Sequence, residues 1–257
     1  MKTKIGLFSH LLVAAACLWG AAALAGVYSY TYTQGQDGVS FLNNGVVPDG
    51  NATGWSDTRS LSGLAASISS VAVTLNVSSG NNGDLYAYLS HNGVLVPLLN
   101  RVGVTAGNPV GYSQSGFLVT LSDAGSFDIH SYNGHSPALN GNGQLTGTWQ
   151  ADGRTILPNS APASFDSASR VNFAGSYGNM NPNGAWTLFV ADMSGGDATQ
   201  CQVVSWGLDI TAVPEPVTMA LGIFAGVFLV VVVVQSRLVR NRVQRWQVAV
   251  VQWIDAV

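Results

Sequence analysis

Residues 68–77 read Ile-Ser-Ser-Val-Ala-Val-Thr-Leu-Asn-Val, in which apolar side chains alternate with small or polar ones. Successive side chains of a strand point to opposite faces, so this alternation places one apolar face on a core. The same period of two recurs in four other runs, at residues 28–32, 85–89, 186–190 and 204–210. No stretch between the two chain ends has a sustained helical period. The pattern therefore predicts an all-β fold of the β-sandwich type.

Asn-Gly pairs lie between these alternating runs. They tolerate positive φ and are typical of tight hairpin turns. Four of these pairs are Asn82-Gly83, Asn92-Gly93, Asn133-Gly134 and Asn183-Gly184.

Three separated motifs narrow the fold further. They are Gly83-Asp84-Leu85, then residues 183–188 (Asn-Gly-Ala-Trp-Thr-Leu), then residues 205–208 (Ser-Trp-Gly-Leu). In this order they resemble the P domain, also called the Homo B domain, of subtilisin-like proprotein convertases. The resemblance covers residues 46–212 and implies a jelly-roll-like β-sandwich, a domain that stabilises the protease in convertases. Residues 104–171 are predicted to form an insertion longer than the core pattern needs.

The C-terminal end carries a second set of signals. Val213-Pro214-Glu215-Pro216 precedes an uncharged apolar run, residues 217–234, and arginines follow it. Eighteen helical residues span roughly 27 Å, close to the ~30 Å core of a bilayer. This order resembles the PEP-CTERM sorting signal of exported bacterial proteins, and an ordinary single-pass anchor is the alternative. The resemblance implies processing by an exosortase-type membrane protease, with sorting residues Pro214, Glu215, Pro216, Arg237 and Arg240.

The N-terminus is typical of a secretory signal peptide. Lys2 and Lys4 precede an apolar run, and Ala23 and Ala25 form a small-x-small cleavage site. The predicted organisation is a signal peptide (1–25), an N-terminal strand and lead-in (26–45), the sandwich (46–212), the sorting signal (213–237) with its transmembrane helix (217–234), and a basic, amphipathic cytoplasmic tail (238–257). The protein is expected to be exported, first as a single-pass precursor in the inner membrane and then in the cell envelope or outside it.

The composition of residues 26–212 excludes one class of partner. This segment has eleven Asp and four Arg with no Lys and no Glu, a formal charge of −7, whereas the whole chain carries −3. Such an acidic segment repels phosphate backbones, so no nucleic acid partner is expected. Cys201 is its only cysteine, which leaves no partner for an internal disulfide. We expect Cys201 to be a small buried apolar residue.

Several polar and aromatic residues could have either a structural role or a ligand-binding role. Asp84 and Asp192 are predicted to bond turn amides at strand ends; the alternative is a Ca²⁺ site that also uses Asp197. No other cofactor is predicted. Trp186 and Trp206 lie on apolar faces and are predicted to be core. Trp55 and Trp149 are predicted to be core or loop anchors, with a sugar-stacking surface as the alternative.

No catalytic constellation is apparent. The histidines of the mature segment are His91, His130 and His135. His130 and His135 are five residues apart in a predicted loop, a spacing that is not typical of a zinc site. Ser113 lies in a Gly-Tyr-Ser-Gln-Ser-Gly run that misses the Gly-x-Ser-x-Gly elbow by one residue. The chain is therefore expected not to be an enzyme.

These observations predict an exported structural or binding protein associated with the cell envelope or exopolysaccharide. Its expected partners are the membrane, an exosortase-type protease and exopolysaccharide. One alternative is an accessory P domain that partners a subtilisin-like serine protease. A second is a calcium-dependent carbohydrate-binding module.

Overall fold

A computed structural model of the 257-residue chain describes residues 26–196, 199–214 and 216–254. They fall into two compact units, and the division between them comes after Val213. The predicted signal cleavage residues Ala23 and Ala25, together with Asp197 and Glu215, lie outside the described residues.

The first unit is built from two β-sheets. Among the described residues it has nine strands: β1 (Gly26–Thr33), β2 (Asn51–Leu61), β3 (Ser67–Ser78), β4 (Leu85–His91), β5 (Val94–Asn100), β6 (Gly116–Ser122), β7 (Leu145–Trp149), β8 (Gly184–Asp192) and β9 (Gln202–Val213). One sheet has the order β1-β9-β3-β6-β7 and the other β2-β8-β4-β5. All neighbours are antiparallel except β6 and β7. This sandwich-like arrangement confirms the predicted all-β class.

The core lies between the two inner sheet faces. In the larger sheet Val73 of β3 is opposite Leu208 of β9, and all the inward residues of these strands are buried. Trp186 and Trp206 are both buried, as predicted, and each indole N–H has a partner. Trp186 donates to the carbonyl oxygen of Pro182 at 2.9 Å, and Trp206 donates to Asp57 Oδ2 at 2.8 Å. Their burial removes large apolar surface from water without an unpaired donor.

Trp55 and Trp149 are also core residues, with exposed fractions of 2% and 7%. Their indole N–H groups donate to the carbonyl oxygens of Leu42 and Thr146, both at 2.9 Å. The prediction of core or loop anchoring is confirmed, and a sugar-stacking surface made by these two residues is wrong. Cys201 is buried in the same core, as expected.

Of the four Asn-Gly pairs named above, one forms the predicted hairpin. Asn92-Gly93 joins β4 to β5, and both residues have positive φ. Asn82-Gly83 instead connects β3 to a strand of the other sheet. The buried Asn82 side chain accepts from the Gly116 N–H at 2.7 Å and donates to the Tyr132 hydroxyl at 3.1 Å. The Asn82 side-chain amide therefore links the connection between β3 and β4 to the segments that contain Gly116 and Tyr132.

The middle of the chain is part of the sandwich. Residues 104–171 contain β6 and β7, which extend the larger sheet beyond β3. The prediction that this segment is an insertion is therefore wrong for these strands. The inward alternation of Phe117, Val119 and Leu121 was the available sequence signal. The first strand, β1, pairs with β9 along its whole length and confirms the predicted N-terminal strand.

Two α-helices occur in the described part of the chain. The short α1 (Phe173–Tyr177) belongs to the first unit, and α2 (Pro216–Ile254) is a continuous helix of 39 residues. Residues 220–250 of α2 are long and apolar enough to cross a membrane, judged by length and composition. The helix continues without a break past Arg237 into the predicted tail, which begins at residue 238.

Candidate functional site

The solvent side of the four-stranded sheet carries the most distinctive surface of the sandwich. Because Trp186, Leu188 and Val190 point into the core, the residues between them on β8 point outward. The same alternation operates on β2 and β4. We call this surface the aromatic face and define it by Ser56, Thr58, Ser60, Tyr86, Tyr88, Ser90, Thr187 and Phe189.

Three partly exposed rings form a cluster on the aromatic face. Tyr88 and Phe189 are cross-strand neighbours whose rings stack with centroids 4.7 Å apart and planes 15° apart. Tyr86 lies 5.9 Å from the ring of Tyr88 and 6.3 Å from that of Phe189. Burial raises the pKa of Tyr86, and the neighbouring Tyr88 phenol adds to the shift. The cluster stabilises the strand pair and leaves ring surface towards solvent.

A row of hydroxyl groups runs beside the rings. Thr187 of β8 is flanked in register by Thr58 of β2 and Ser90 of β4. The Oγ1 atoms of Thr58 and Thr187 are 2.8 Å apart. In the next row Ser56 is opposite Phe189. The aromatic face therefore presents a row of alcohols next to a row of rings, and none of its eight residues is charged.

The charges of β2 are turned inward. Asp57 Oδ2 accepts from Arg59 Nε at 2.7 Å and from the Trp206 indole at 2.8 Å. The Arg59 guanidinium lies 4.8 Å from the centroid of the Tyr32 ring, a cation–π contact. These contacts keep both charges of the strand away from the aromatic face.

The two described calcium candidates take part in strand-end contacts. Asp192 is fully buried, and its Oδ1 accepts from the Ser194 N–H at 3.1 Å. Asp84 accepts from Asn81 Nδ2 at 3.3 Å and lies 3.9 Å from the Arg101 guanidinium. These bonds fit the predicted structural role. Within the described ranges no group of three or more His, Cys, Asp or Glu side chains is placed to hold a metal ion.

The three histidines have separate environments. His91 is buried and stacks on Trp186 with ring centroids 3.9 Å apart. Its ring nitrogens lie 2.9 Å and 2.8 Å from the carbonyl oxygens of Ala185 and Asn181. His135 stacks on Phe127 at 3.8 Å.

The third histidine, His130, is buried beside Asp152. Its Nδ1 is 2.7 Å from Asp152 Oδ2, and its Nε2 is 2.9 Å from the carbonyl oxygen of Val104. Ser113 is exposed on the loop before β6. In the described hydrogen-bond network none of the three histidines has Ser113 as a partner, so the structure does not assemble these residues into a nucleophile–base pair.

A polar network around Asp152 was missed by the sequence analysis. Besides His130, the carboxylate accepts from the Asn100 backbone N–H at 3.1 Å and from Arg154 Nη1 at 3.1 Å. Arg154 also donates to Asp128 Oδ2 at 2.9 Å. Burial alone would lower the pKa of Arg154, but Asp152 and Asp128 outweigh it and raise that pKa. Three separate segments supply these residues, at Asn100, at residues 128–130 and at residues 152–154, and no local pattern predicts that the segments meet. The network pairs its charges internally and holds loops together.

The predicted sorting residues lie in the C-terminal part of the chain. Strand β9 ends at Val213 and α2 begins at Pro216, so the last residue of the Pro-Glu-Pro triplet is the first residue of the helix. Val213 is still paired with Ser67 of β3. Arg237 and Arg240 are exposed on α2.

Comparison with known proteins gives a distant structural likeness. No protein family matches the chain, and no curated protein matches it. Two crystal structures of a serine protease of Aeromonas sobria are similar to it. The complex of that protease with its chaperone has a TM-score of 0.42 at 12% identity, covering 80% of this chain and 29% of that one. The protease alone has a TM-score of 0.39 at 12% identity, with coverages of 79% and 30%. The chain thus spans under a third of those proteins.

Proposed function

We propose that this chain is an exported, single-pass protein of the cell envelope whose sandwich binds a neutral polysaccharide on the aromatic face. The observation that supports the ligand class is the absence of charge on that face in an otherwise acidic sandwich. A polyanion or polycation has no opposite charge to meet there. A neutral ligand with both apolar and hydroxyl surface fits the two rows of side chains.

The chemistry of a sugar chain matches the aromatic face. A pyranose ring has apolar C–H faces that pack on aromatic rings and hydroxyl groups at its rim that exchange hydrogen bonds with alcohols. Ring surface is offered by Tyr86, Tyr88 and Phe189, and alcohols by Thr58 and Thr187 beside them. Neighbouring strands are about 4.8 Å apart, so three strands span about 10 Å, the scale of a disaccharide.

The proposed route to the envelope rests on the two chain ends. The Pro-Glu-Pro triplet precedes a helix whose residues 220–250 meet the length and composition of a membrane span. We propose that an exosortase-type protease reads this signal, releasing the sandwich from its anchor. Because β9 pairs up to Val213, only two residues separate folded sandwich and helix. Proteases act on extended chain, so cleavage at the triplet requires the last β9 residue or the first helical turn to open.

The sandwich is proposed to act by binding without catalysis. Both ring nitrogens of His91 and of His130 face acceptors other than Ser113. This pattern supports structural roles for these histidines within a P-domain-like sandwich. Purified full-length protein is expected to show no peptide or ester turnover above a mock purification. Turnover that disappears in Ser113→Ala would contradict this part of the proposal.

Binding is tested with the full chain in detergent and a soluble neutral glucan, alongside the purified exopolysaccharide of the host. Phe189→Ala and Tyr88→Ala are each expected to weaken retention by about tenfold, equivalent to about 1.4 kcal/mol. Tyr30→Ala, a partly buried aromatic on the other sheet, is the matched control and should leave retention unchanged. Equal retention by the wild type and both aromatic-face variants would show that the polysaccharide binds elsewhere.

Sorting is tested separately by mass spectrometry of the protein's C-terminus in host cells with and without the exosortase. The expected result is a shortened form that appears only when the exosortase is present. If the full tail persists equally in both strains, α2 is only an anchor. That outcome leaves the binding test unaffected.

A further inference from the structure

The four outer edges of the two sheets differ in how they are protected. The edge strands are β1 and β7 in the larger sheet and β2 and β5 in the smaller one. An edge strand presents unpaired backbone N–H and C=O groups, which another chain can use for pairing. Natural sandwiches therefore cover, shorten, bend or charge their edges.

The edge of β5 is covered. The chain leaves β7 at Trp149 and reaches the β5 edge within three residues. The Asp152 N–H donates to the carbonyl oxygen of Leu98 at 3.1 Å, and the Gly153 N–H donates to that of Pro97 at 2.9 Å. Pro97 itself lacks an N–H to offer. A new strand that pairs along Pro97 and Leu98 would have to displace these bonds.

The edge of β7 is short and also covered. The strand has five residues, and Gly147 in its middle has a φ of +102°. The Thr146 N–H donates to the carbonyl oxygen of Ala138 at 2.9 Å, and Leu139 forms a β-bridge with Leu145. The preceding loop thus occupies the positions that an added strand would use.

The edge of β2 is irregular and charged. Its pairing with β8 shifts register between Asn51 and Trp55, where Gly54 has a φ of +57°. Asp57 and Arg59 point inward from the regular half of the strand. Bulges and inward-pointing charges are two of the devices that prevent strand addition.

Strand β1 has none of these devices. Its eight residues, Gly-Val-Tyr-Ser-Tyr-Thr-Tyr-Thr, pair with β9 in one unbroken register and include no charge and no proline. Within the described residues, no loop or side chain donates to or accepts from the backbone of residues 26–32 apart from β9. Val27 on the outer face is 67% exposed.

The inner side of β1 adds to the argument. Tyr28, Tyr30 and Tyr32 point towards the core and pack against it, yet they are only partly buried. They stand at the side of the sandwich where β2 ends the opposite sheet. A strand added beside β1 would cover the remaining aromatic surface as well as the backbone edge.

We propose that β1 pairs antiparallel with β1 of a second copy of this chain, joining two larger sheets across a two-fold axis. A strand without charge is compatible with its own copy, because no like charges are brought together. Two-fold pairing is self-complementary and closes, so it produces a dimer with no further open edge at this position.

An independent feature of α2 also points to a second copy. Gly222 and Gly226 form a small-xxx-small pair within the apolar span, and a Cβ at Gly222 would meet no atom within 4 Å. In apolar membrane helices this spacing lets two helices approach closely. Pairing of the helices would raise the local concentration of sandwiches and favour β1 pairing.

The test is site-directed cross-linking of the full chain in detergent micelles with a short bis-maleimide. Cysteines are placed one at a time on the outward positions of β1, as Val27→Cys, Ser29→Cys and Thr31→Cys. Cross-linked dimer is expected from at least one of them, because positions near the two-fold axis meet their own copies. Thr58→Cys on β2, also an exposed edge-strand position, is the matched control and should stay monomeric. Absence of dimer from all three β1 positions, or equal dimer from Thr58→Cys, overturns the proposal.

A second measurement separates strand pairing from helix pairing. Thr31→Lys brings a positive charge to the edge on each copy, and sedimentation is expected to show at least about tenfold weaker dimerisation. Thr58→Lys should leave the sedimentation of the dimer unchanged, and unchanged thermal unfolding of both variants confirms that they fold. If only the Gly222→Leu, Gly226→Leu double variant abolishes the dimer and Thr31→Lys does not, the helices associate and β1 does not.

Discussion

The edge strands are covered on one side of the sandwich and uncovered on the other. On the closed side, the chain that follows β7 returns to the edge of β5 and bridges the two edge strands, and the charges there form a buried network around Asp152. On the open side, β1 and β2 are not joined. The open side has an uncharged edge strand, half-buried tyrosines and one inward ion pair. The difference indicates that the charged cluster is structural, whereas the two surfaces that we propose for partners are uncharged.

The largest effect is expected on the closed side, from Asp152→Ala. The substitution leaves the buried His130 and Arg154 without their shared carboxylate and the Asn100 N–H without its acceptor. Removing one partner of a buried charged cluster costs about 3–5 kcal/mol. Denaturant unfolding measures this loss. Asp166→Ala, at an exposed carboxylate of the same side, should cost less than about 1 kcal/mol. Equal losses from both variants would show that the network does not stabilise the closed side.

Alkaline pH is expected to weaken the same side next. Burial raises the pKa of Tyr132 above its ordinary value of 10.0, while the hydrogen bond from Asn82 opposes the shift. A tyrosine whose folded pKa is raised contributes stability that is complete below the unfolded pKa of 10.0 and is lost as pH rises above it. The free energy of unfolding should therefore fall above pH ~10.

Tyr132→Phe is the variant that isolates this effect. It removes one titrating group, so the decline with alkaline pH should be shallower than in the wild type, although stability near pH 7 is lower by about 1 kcal/mol from lost hydrogen bonds. The comparison requires unfolding curves at several pH values between 8 and 11. An unchanged slope would assign the alkaline loss to other groups.

A smaller effect is expected on the open side, from Asp57→Ala. The substitution leaves the indole N–H of the buried Trp206 without an acceptor and Arg59 without its partner. An unsatisfied buried donor costs about 1–3 kcal/mol. The measurement is chemical unfolding at neutral pH. A loss as large as that of Asp152→Ala would erase the contrast between the two sides.

The smallest effect is expected from Arg59→Met. Its ion pair is partly exposed, and such pairs contribute about 0–1 kcal/mol. The Met side chain keeps apolar contact with Tyr32, and Asp57 still accepts from Trp206. The same unfolding assay should therefore show a loss below that of Asp57→Ala. A larger loss would mean that the cation–π contact of Arg59 with Tyr32 stabilises this side more than the Asp57 carboxylate does.

Sequence pattern identified the parts of the fold that depend on neighbouring residues. The alternation in β1, β3, β4, β8 and β9 was sufficient because each strand has one clearly apolar face. The alternation did not identify strand β2, because Asp57 and Arg59 occupy inward positions, where apolar side chains are expected. Strands β6 and β7 were assigned to an insertion because the segment that contains them is rich in Gly, Asn and Ser.

The apolar C-terminal run and the burial of Trp186 and Trp206 were likewise determined by sequence alone, since both follow from hydrophobicity and its period. Tertiary structure decided what hydrophobicity does not encode. It joined His130, Asp152 and Arg154 into one network, placed Trp55 and Trp149 in the core, and turned Tyr86, Tyr88 and Phe189 together onto one outer face. It also determined which strand stays open at its edge. Pairing partners and loop positions depend on contacts between residues distant in sequence, and a local period carries no information about them.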